Sequence, residues 1–177
     1  MILKSDTPNQ AKVNKLLGAP YKFSFKNHHN SGTASLFLKE YNSTSRFLEG
    51  LTIGSKCNFE LRPKGLLLHV SLQNQYQQIP IPFSEIKKLE IEKGAESIKP
   101  IPMFPMWILL KLGLSIRYAR YFRLKAWEYT ISELKLRLIT ELYDMSFQSN
   151  GYNYIALAQY FKWSNLNPDL IVLKKTS

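Results

Sequence analysis

Residues 57–70 read CNFELRPKGLLLHV, and this stretch decides the fold. Two short apolar runs, Cys57–Leu61 and Leu66–Val70, flank the four residues Arg62–Gly65. Proline at the second position and glycine at the fourth are what a type I turn prefers. The pattern therefore predicts an antiparallel hairpin.

Further strands are predicted on both sides of this hairpin. Residues 79–83 read IPIPF, and residues 88–92 read KLEIE. Because the two prolines cannot donate ladder hydrogen bonds, 79–83 is predicted to be an edge strand or the end of a strand. The upstream predictions are a helix over 9–17 ended by Gly18, strands over 21–26 and 35–38, and a helical turn over 42–51.

The segment after Pro105 has two interpretations. Apolar residues from Leu110 to Tyr118 alternate with Lys111, Gly113, Ser115 and Arg117, which favours a strand. The alternative is a helix that begins at Pro105 and stops at Gly113, because proline is common at the first helical position and glycine just past the last.

The C-terminal third is predicted to be helical. Thr130 and Glu133 have the spacing of a capping box, and a helix over 130–145 would place five apolar residues on one face, namely Ile131, Leu134, Leu138, Leu142 and Met145. A second helix is predicted over 152–161, and 170–177 adds a strand or frays. Strands in the middle with helices after them indicate the α+β class.

The run from Phe59 to Glu92 resembles the first half of bacterial PH-like (GRAM-like) domains, in which a hairpin precedes a strand of the form I-P-x-x-x-I. Here that strand is contained in residues 79–91, IPIPFSEIKKLEI. The resemblance extends over residues 57–145, about half of the chain. It implies a bent antiparallel β-barrel or sandwich with C-terminal helices, 130–145 being the helix that closes it. The implied organisation is an N-terminal extension (1–50) packed on the core, a PH-like core (51–146), and a C-terminal helix and tail (147–177), within one structural domain.

Composition narrows the class of protein. The 177 residues carry 24 Lys and Arg against 13 Asp and Glu, a net charge of +11, and 13% are aromatic. Such aromatic content excludes a disordered chain, and the charge points to anionic partners. Cys57 is the single cysteine, Met1–Asp6 lacks the apolar run of a signal peptide, and the apolar segment 101–116 is too interrupted to span a bilayer. We therefore expect a cytoplasmic protein, with peripheral association at the inner membrane face.

Three basic residues near the hairpin form the first candidate site. Lys56, Arg62 and Lys64 resemble the signature with which lipid-binding PH domains hold inositol phosphates. Cations on adjacent strand ends around a turn can surround one phosphate with charge-assisted hydrogen bonds. The alternative is a set of solvated charges on an ordinary hairpin.

The densest basic window, 111–125, is the second candidate site. Its cations are Lys111, Arg117, Arg120, Arg123 and Lys125, with no acid among them. Tyrosines interleave with the arginines, so phosphates could pair with the guanidinium groups while bases stack on the rings. This composition predicts an anion-binding surface and makes a nucleic-acid-binding protein one alternative. The other interpretation is the polar face of an amphipathic element.

Phe104, Met106 and Trp107 are candidates for an exposed apolar wedge. An apolar tip beside Lys111 and Arg117 has the composition of an interfacial membrane anchor. The competing interpretations are a buried core element, or a face of 101–116 that pairs with another chain in an assembly, including a second copy in a homo-oligomer.

No catalytic motif is found in the sequence, and no cofactor is predicted. His28, His29, His69 and Cys57 do not predict a metal site, because His28 and His29 are adjacent in a polar loop and a zinc site needs three or four ligands with a supporting shell. The leading hypothesis is a non-enzymatic PH-like binding module whose basic face engages phospholipid headgroups or an acidic protein.

Overall fold

The computed structural model describes residues 3–4, 10–21, 32–43, 51–72 and 75–175. The predicted strand over 21–26 lies, beyond Tyr21, outside these residues, as do 44–50 of the predicted helical turn. The described residues form an α+β structure dominated by one large, mostly antiparallel open sheet, which confirms the predicted fold class. Such a sheet is compatible with a sandwich or a bent barrel.

The strands are β1 (Leu3–Lys4), β2 (Leu36–Ser43), β3 (Lys56–Arg62), β4 (Gly65–Leu72), β5 (Gln75–Pro82), β6 (Ile86–Lys93), β7 (Glu96–Ile98), β8 (Tyr129–Ile131), β9 (Leu134–Thr140), β10 (Tyr143–Ser149) and β11 (Ile171–Lys175). In the described residues, nine of them form the large sheet in the order β1-β5-β4-β3-β2-β10-β9-β6-β11, and β7 and β8 form a second small sheet. The α-helices are α1 (Gln10–Leu17), α2 (Pro105–Lys111), α3 (Ile116–Ala119) and α4 (Tyr154–Lys162).

The hairpin of β3 and β4 is confirmed, with Lys56 opposite Ser71 at one end and Arg62 opposite Gly65 at the other. Gly65 is required by close packing, since a Cβ there would lie 2.4 Å from the Ile81 carbonyl oxygen. The predicted strand with prolines is the second half of β5, beyond the two residues that pair with β1. Pro80 and Pro82 therefore lie in the part of β5 that pairs with β4 alone among the described strands. On its other side this part forms no ladder hydrogen bonds, so the missing N–H groups cost nothing there.

The predicted helix over 130–145, with its capping box at Thr130 and Glu133, is wrong. These residues form the end of β8, all of β9 and the start of β10. Leu134, Leu136 and Leu138 are buried while the residues between them are exposed, which is the period of a strand. Residues four positions apart share a face in a helix and also in a strand. The spacing of Leu134 and Leu138 therefore could not distinguish the two structures. Pairing of β9 with both β6 and β10 decides the outcome.

The preferred strand over 110–118 is also wrong, and the alternative helix is correct. α2 has Pro105 at its first position, and Gly113 adopts a φ of 86° beyond its end. A positive φ costs glycine nothing and ends the helix. Leu112 and Leu114 alternate in sequence but are exposed, and no strand in the part of the chain that the structure describes pairs with them.

The main core lies on one face of the large sheet, under α4. Phe59 packs edge-on against Phe147 and Phe161, with ring centroids 5.3 and 5.8 Å away. The Tyr160 hydroxyl donates a 3.0 Å hydrogen bond to the Phe59 carbonyl, and burial raises the pKa of Tyr160. These contacts confirm the predicted second helix, which extends to Lys162.

α1 covers the opposite face of the sheet. Leu67 points away from the main core, because neighbouring strand residues alternate, and it packs against Val13 and Leu17. Gly18 follows α1 with a φ of 86°, as the predicted helix end requires. At the far edge of the sheet, β11 pairs in parallel with β6, so the C-terminal segment adds a strand. Among the described residues, no helix is both long and apolar enough to cross a membrane.

Candidate functional site

A helical excursion, residues 99–128, connects β7 to β8 of the small two-stranded sheet. Glu96 pairs with Ile131 and Ile98 with Tyr129, so the two-stranded sheet closes the base of the excursion. α2 and α3 lie within it, joined by a tight turn in which the Leu114 amide donates to the Leu109 carbonyl at 2.9 Å. The excursion is therefore a compact helical unit held at both ends by the same ladder.

The interior of the excursion is small. Its buried apolar core consists of Met106 and Ala119 from the excursion and Tyr129 from β8. Four partly buried residues pack around them, namely Leu109, Leu110, Ile116 and Ile131. A core of this size cannot cover all the apolar side chains that the segment carries.

The remaining apolar side chains of the excursion face solvent. Of the nine large apolar or aromatic residues that are more than half exposed in the described part of the chain, seven belong to the excursion. They are Met103, Leu112, Tyr118, Tyr121, Phe122, Leu124 and Trp127. Isolated exposed apolar residues are ordinary, but their concentration in one short segment makes it a candidate interaction surface.

The charge of the excursion is one-sided. It contains six cations, Lys99 and the five of the predicted window, and one acid, Glu128. Glu128 is fully buried, and its carboxylate accepts hydrogen bonds from the backbone amides of Leu124 at 2.8 Å and Lys125 at 2.7 Å. The hydrogen bond from the Lys125 amide is the main cause that lowers the pKa of Glu128. The Glu128 carboxylate is therefore ionised at neutral pH. The negative charge of Glu128 is therefore buried against backbone amides, and the charged groups on the exposed surface of the excursion are all cations.

The five cations of the predicted window have different environments. Arg117 makes no hydrogen bond or ion pair with any described residue, while Lys111 lies over the Trp107 ring, 5.7 Å from its centroid. Arg120 stacks on the rings of Tyr121 and Tyr129. Lys125 is exposed.

Arg123 is the structural member of the set. Its Nη1 donates to the Tyr129 carbonyl at 2.8 Å and to the Tyr152 hydroxyl at 2.9 Å. Arg123 therefore holds the segment against β8 and the residues before α4, whereas Arg117 is exposed to solvent. The anion-binding role of the window stays a prediction.

The predicted apolar wedge is only partly exposed. Phe104 is exposed and Trp107 is half-buried, but Met106 is completely buried in the core of the excursion. The prediction that Met106 belongs to an exposed wedge is therefore wrong, because this residue of α2 packs inward against Ala119 and Tyr129. Met103, Leu112 and Trp127 are also exposed but were not among the predicted wedge residues, because no hydrophobic period in the sequence marks them as a surface.

The basic triplet of the hairpin does not form one anion site. Lys56 and Arg62 stand at opposite ends of β3, about 20 Å apart for a strand of this length. Arg62 is 2% exposed, ion-paired with Glu60 at 2.7 Å and bonded to Asn14 Oδ1 at 3.0 Å. It fastens α1 to the sheet, so only Lys56 and Lys64 remain exposed.

A polar network next to Arg62 involves His69. Its Nε2 lies 2.8 Å from Glu60 Oε2, and its Nδ1 contacts the Tyr76 hydroxyl. Burial opposes ionisation of Glu60, but the hydrogen bond to His69 and the charge of Arg62 together lower its pKa. Cys57 is buried, which raises its pKa to about 12. His28 and His29 lie outside the described residues, within which no group of three or more His, Cys, Asp or Glu could hold a metal ion.

Comparison with known proteins gives no relative: no family model, no curated protein and no solved structure matches this chain.

Proposed function

We propose that this protein is a non-enzymatic binding module that attaches peripherally to anionic membrane surfaces through its helical excursion. The observation that carries the proposal is the excursion's surface, which combines seven largely exposed apolar or aromatic side chains with cations and no exposed acid. Segments of this composition lie in the interface of a bilayer, with the apolar groups at the acyl boundary and the cations at the headgroups.

Two contributions would add in such binding. Each Lys or Arg that reaches an anionic leaflet contributes about 1 kcal/mol. Burial of exposed apolar surface adds roughly 25 cal/mol per Å², and tyrosine and tryptophan favour the membrane–water interface. Tyr118, Tyr121 and Trp127 are exposed rings of this kind, and the two tyrosines directly follow Arg117 and Arg120 in the sequence. The excursion therefore needs no deep pocket to bind.

The PH-like architecture belongs to the same proposal. Support comes from the β3–β4 hairpin at the predicted position and from a C-terminal helix, α4, packed on the core face of a large antiparallel sheet. In this arrangement α4 takes the place that the sequence assigned to 130–145. The lipid-binding surface would then be an excursion between two strands, away from the hairpin that holds Lys56 and Lys64.

Vesicle co-sedimentation tests the proposal. We expect retention on phosphatidylcholine vesicles containing phosphatidylglycerol, little retention on pure phosphatidylcholine, and a steep loss of retention with salt. Leu112→Ala and Arg117→Ala should each weaken retention. Ile53→Ala and Lys162→Ala are the matched controls, since both residues are exposed but lie outside the excursion.

Three results would overturn the proposal. One is equal retention of the protein on vesicles with and without phosphatidylglycerol. Another is binding to a single-stranded oligonucleotide, weakened by Arg117→Ala, in a protein that vesicles do not retain. The third is an oligomer by light scattering that Leu112→Ala converts to a monomer, which would assign the apolar surface to a second copy.

A further inference from the structure

A groove of about 490 Å³ lies at the foot of the excursion, where the excursion meets the outer face of the large sheet. Arg123 and Ala126 form its excursion side, and Phe37, Lys39 and Gln148 form its sheet side. Its volume falls within the roughly 300–1,000 Å³ of ordinary small-molecule sites. Its position places any ligand directly beside the surface proposed to touch the membrane.

Three charged side chains line the groove, and their signs differ. Lys39 and Arg123 are cationic, and Glu133 is anionic. Neither Lys39 nor Glu133 makes a hydrogen bond or ion pair with a described residue. Arg123 uses Nη1 for Tyr129 and Tyr152, so the rest of its guanidinium is available for an anion. The groove thus offers two positive groups and one negative group.

Aromatic and neutral polar groups complete the lining. Phe37 and Tyr152 are both partly exposed, at 46% and 42%, and present ring surface to the groove. Aromatic faces attract an ammonium group, and partly apolar walls suit a glycerol or methylene stem. Thr130 and Asn150 add neutral hydrogen-bonding groups.

We infer that this groove binds a group that combines a phosphate, an ammonium and a carboxylate, the chemistry of a phosphatidylserine headgroup. The two anionic groups of such a ligand match Lys39 and Arg123, and its ammonium matches Glu133. A guanidinium suits phosphate because its donors form a planar fork. The inference rests on the proposed membrane attachment and adds to it a choice among anionic lipids.

The first experiment uses soluble compounds, so that it does not depend on vesicles. O-phospho-L-serine is titrated into the full chain and followed by calorimetry, with inorganic phosphate in parallel. We expect O-phospho-L-serine to bind more tightly than phosphate, and Lys39→Ala and Glu133→Gln each to weaken it by about tenfold. Lys162→Ala and Glu141→Gln, exposed residues outside the groove, should bind as the parent does.

The second experiment compares vesicles of equal charge, one set containing phosphatidylserine and the other phosphatidylglycerol. We expect stronger retention on phosphatidylserine, and Glu133→Gln should abolish the preference while retention on phosphatidylglycerol persists. Circular dichroism should show unchanged folding, because Lys39 and Glu133 are exposed.

The outcomes separate the two proposals. Absence of O-phospho-L-serine binding, or equal binding of inorganic phosphate, would overturn the groove assignment and leave membrane attachment intact. Binding of O-phospho-L-serine with equal retention on both anionic vesicles would assign the groove to a free amino-phosphate compound and overturn the lipid headgroup. Binding of O-phospho-L-serine by a protein that no vesicle retains would overturn membrane attachment.

Discussion

The guanidinium of Arg123 donates a 2.9 Å hydrogen bond to the Tyr152 hydroxyl and lies 5.9 Å from the centroid of the same ring. The Tyr152 hydroxyl in turn donates to the Tyr129 carbonyl at 3.0 Å. Because Tyr152 precedes α4, this network joins the excursion to the helix that packs on the core. The orientation of the proposed binding surface thus depends on a small polar network outside the main core.

Removing the hydroxyl in Tyr152→Phe should loosen this junction. The substitution removes two hydrogen bonds but keeps the ring under Arg123, so we expect a loss of about 1 kcal/mol in the free energy of unfolding. For a chain of this length that lowers Tm by roughly 2–4 °C, measurable by calorimetry. Tyr118→Phe is the control, since Tyr118 is exposed and its hydroxyl bonds to no described residue. An unchanged Tm for Tyr152→Phe would mean that the junction is maintained by other contacts.

Two methionines three residues apart should behave in opposite ways. Met106 is fully buried and Met103 is 77% exposed. Met106→Ala leaves a cavity and should destabilise the protein by about 2–5 kcal/mol. Met103→Ala should leave Tm unchanged within error but weaken retention on anionic vesicles. Equal effects of the two substitutions on stability or on vesicle retention would contradict the difference in burial between Met106 and Met103.

Arg62 should matter for stability and not for anion binding. Arg62→Ala leaves the part-buried Glu60 carboxylate without its 2.7 Å ion pair and should cost about 3–5 kcal/mol, measured by urea denaturation. Lys64→Ala, at an exposed turn position, should change stability by no more than about 0.5 kcal/mol. Greater vesicle loss in Lys64→Ala than in Arg117→Ala would return the lipid site to the hairpin.

Acid should weaken the contact between α1 and the sheet through Glu60. Its pKa in the folded protein lies below the ordinary value of 4.5, so its stabilising contribution is complete above that pH. The contribution is lost as pH falls through the lowered pKa. Glu60→Gln should therefore be less stable than the parent at neutral pH and lose less stability on acidification below pH 4.5. The measurement is urea denaturation across this pH range, and parallel curves for the two proteins would contradict the assignment.

Local signals in the sequence predicted some elements correctly. The Pro63 and Gly65 pattern specified the hairpin, and Gly18 marked the end of α1 because glycine adopts a positive φ without cost. Gly113 indicated the alternative helix, which is correct, but the alternation over 110–118 favoured a strand. The 130–145 segment could not be predicted in this way. Its apolar spacing of four suits a helix and a strand equally, and the partners that decided between them, β6 and β2, come from distant parts of the chain.

The candidate site divides along the same line. The concentration of positive charge in 111–125 is a property of composition, so the sequence located it without a structure. Whether an apolar side chain is exposed depends on which face of α2 meets Ala119 and Tyr129. For that reason Met106 was predicted to belong to the exposed wedge, and Met103 and Leu112 were not among the predicted wedge residues.

The sequence by itself determined the α+β class, the central hairpin and the basic character of the segment that projects from the sheet. Each follows from turn chemistry, hydrophobic pattern or charge, which act over a few residues. Only the tertiary structure decided that Arg62 is buried beside Asn14, that Glu128 turns its charge inward, and that Lys39, Arg123 and Glu133 share a groove. Those outcomes depend on contacts between segments that are distant in the chain. A local sequence pattern does not indicate which of these contacts form or how much they stabilise the fold.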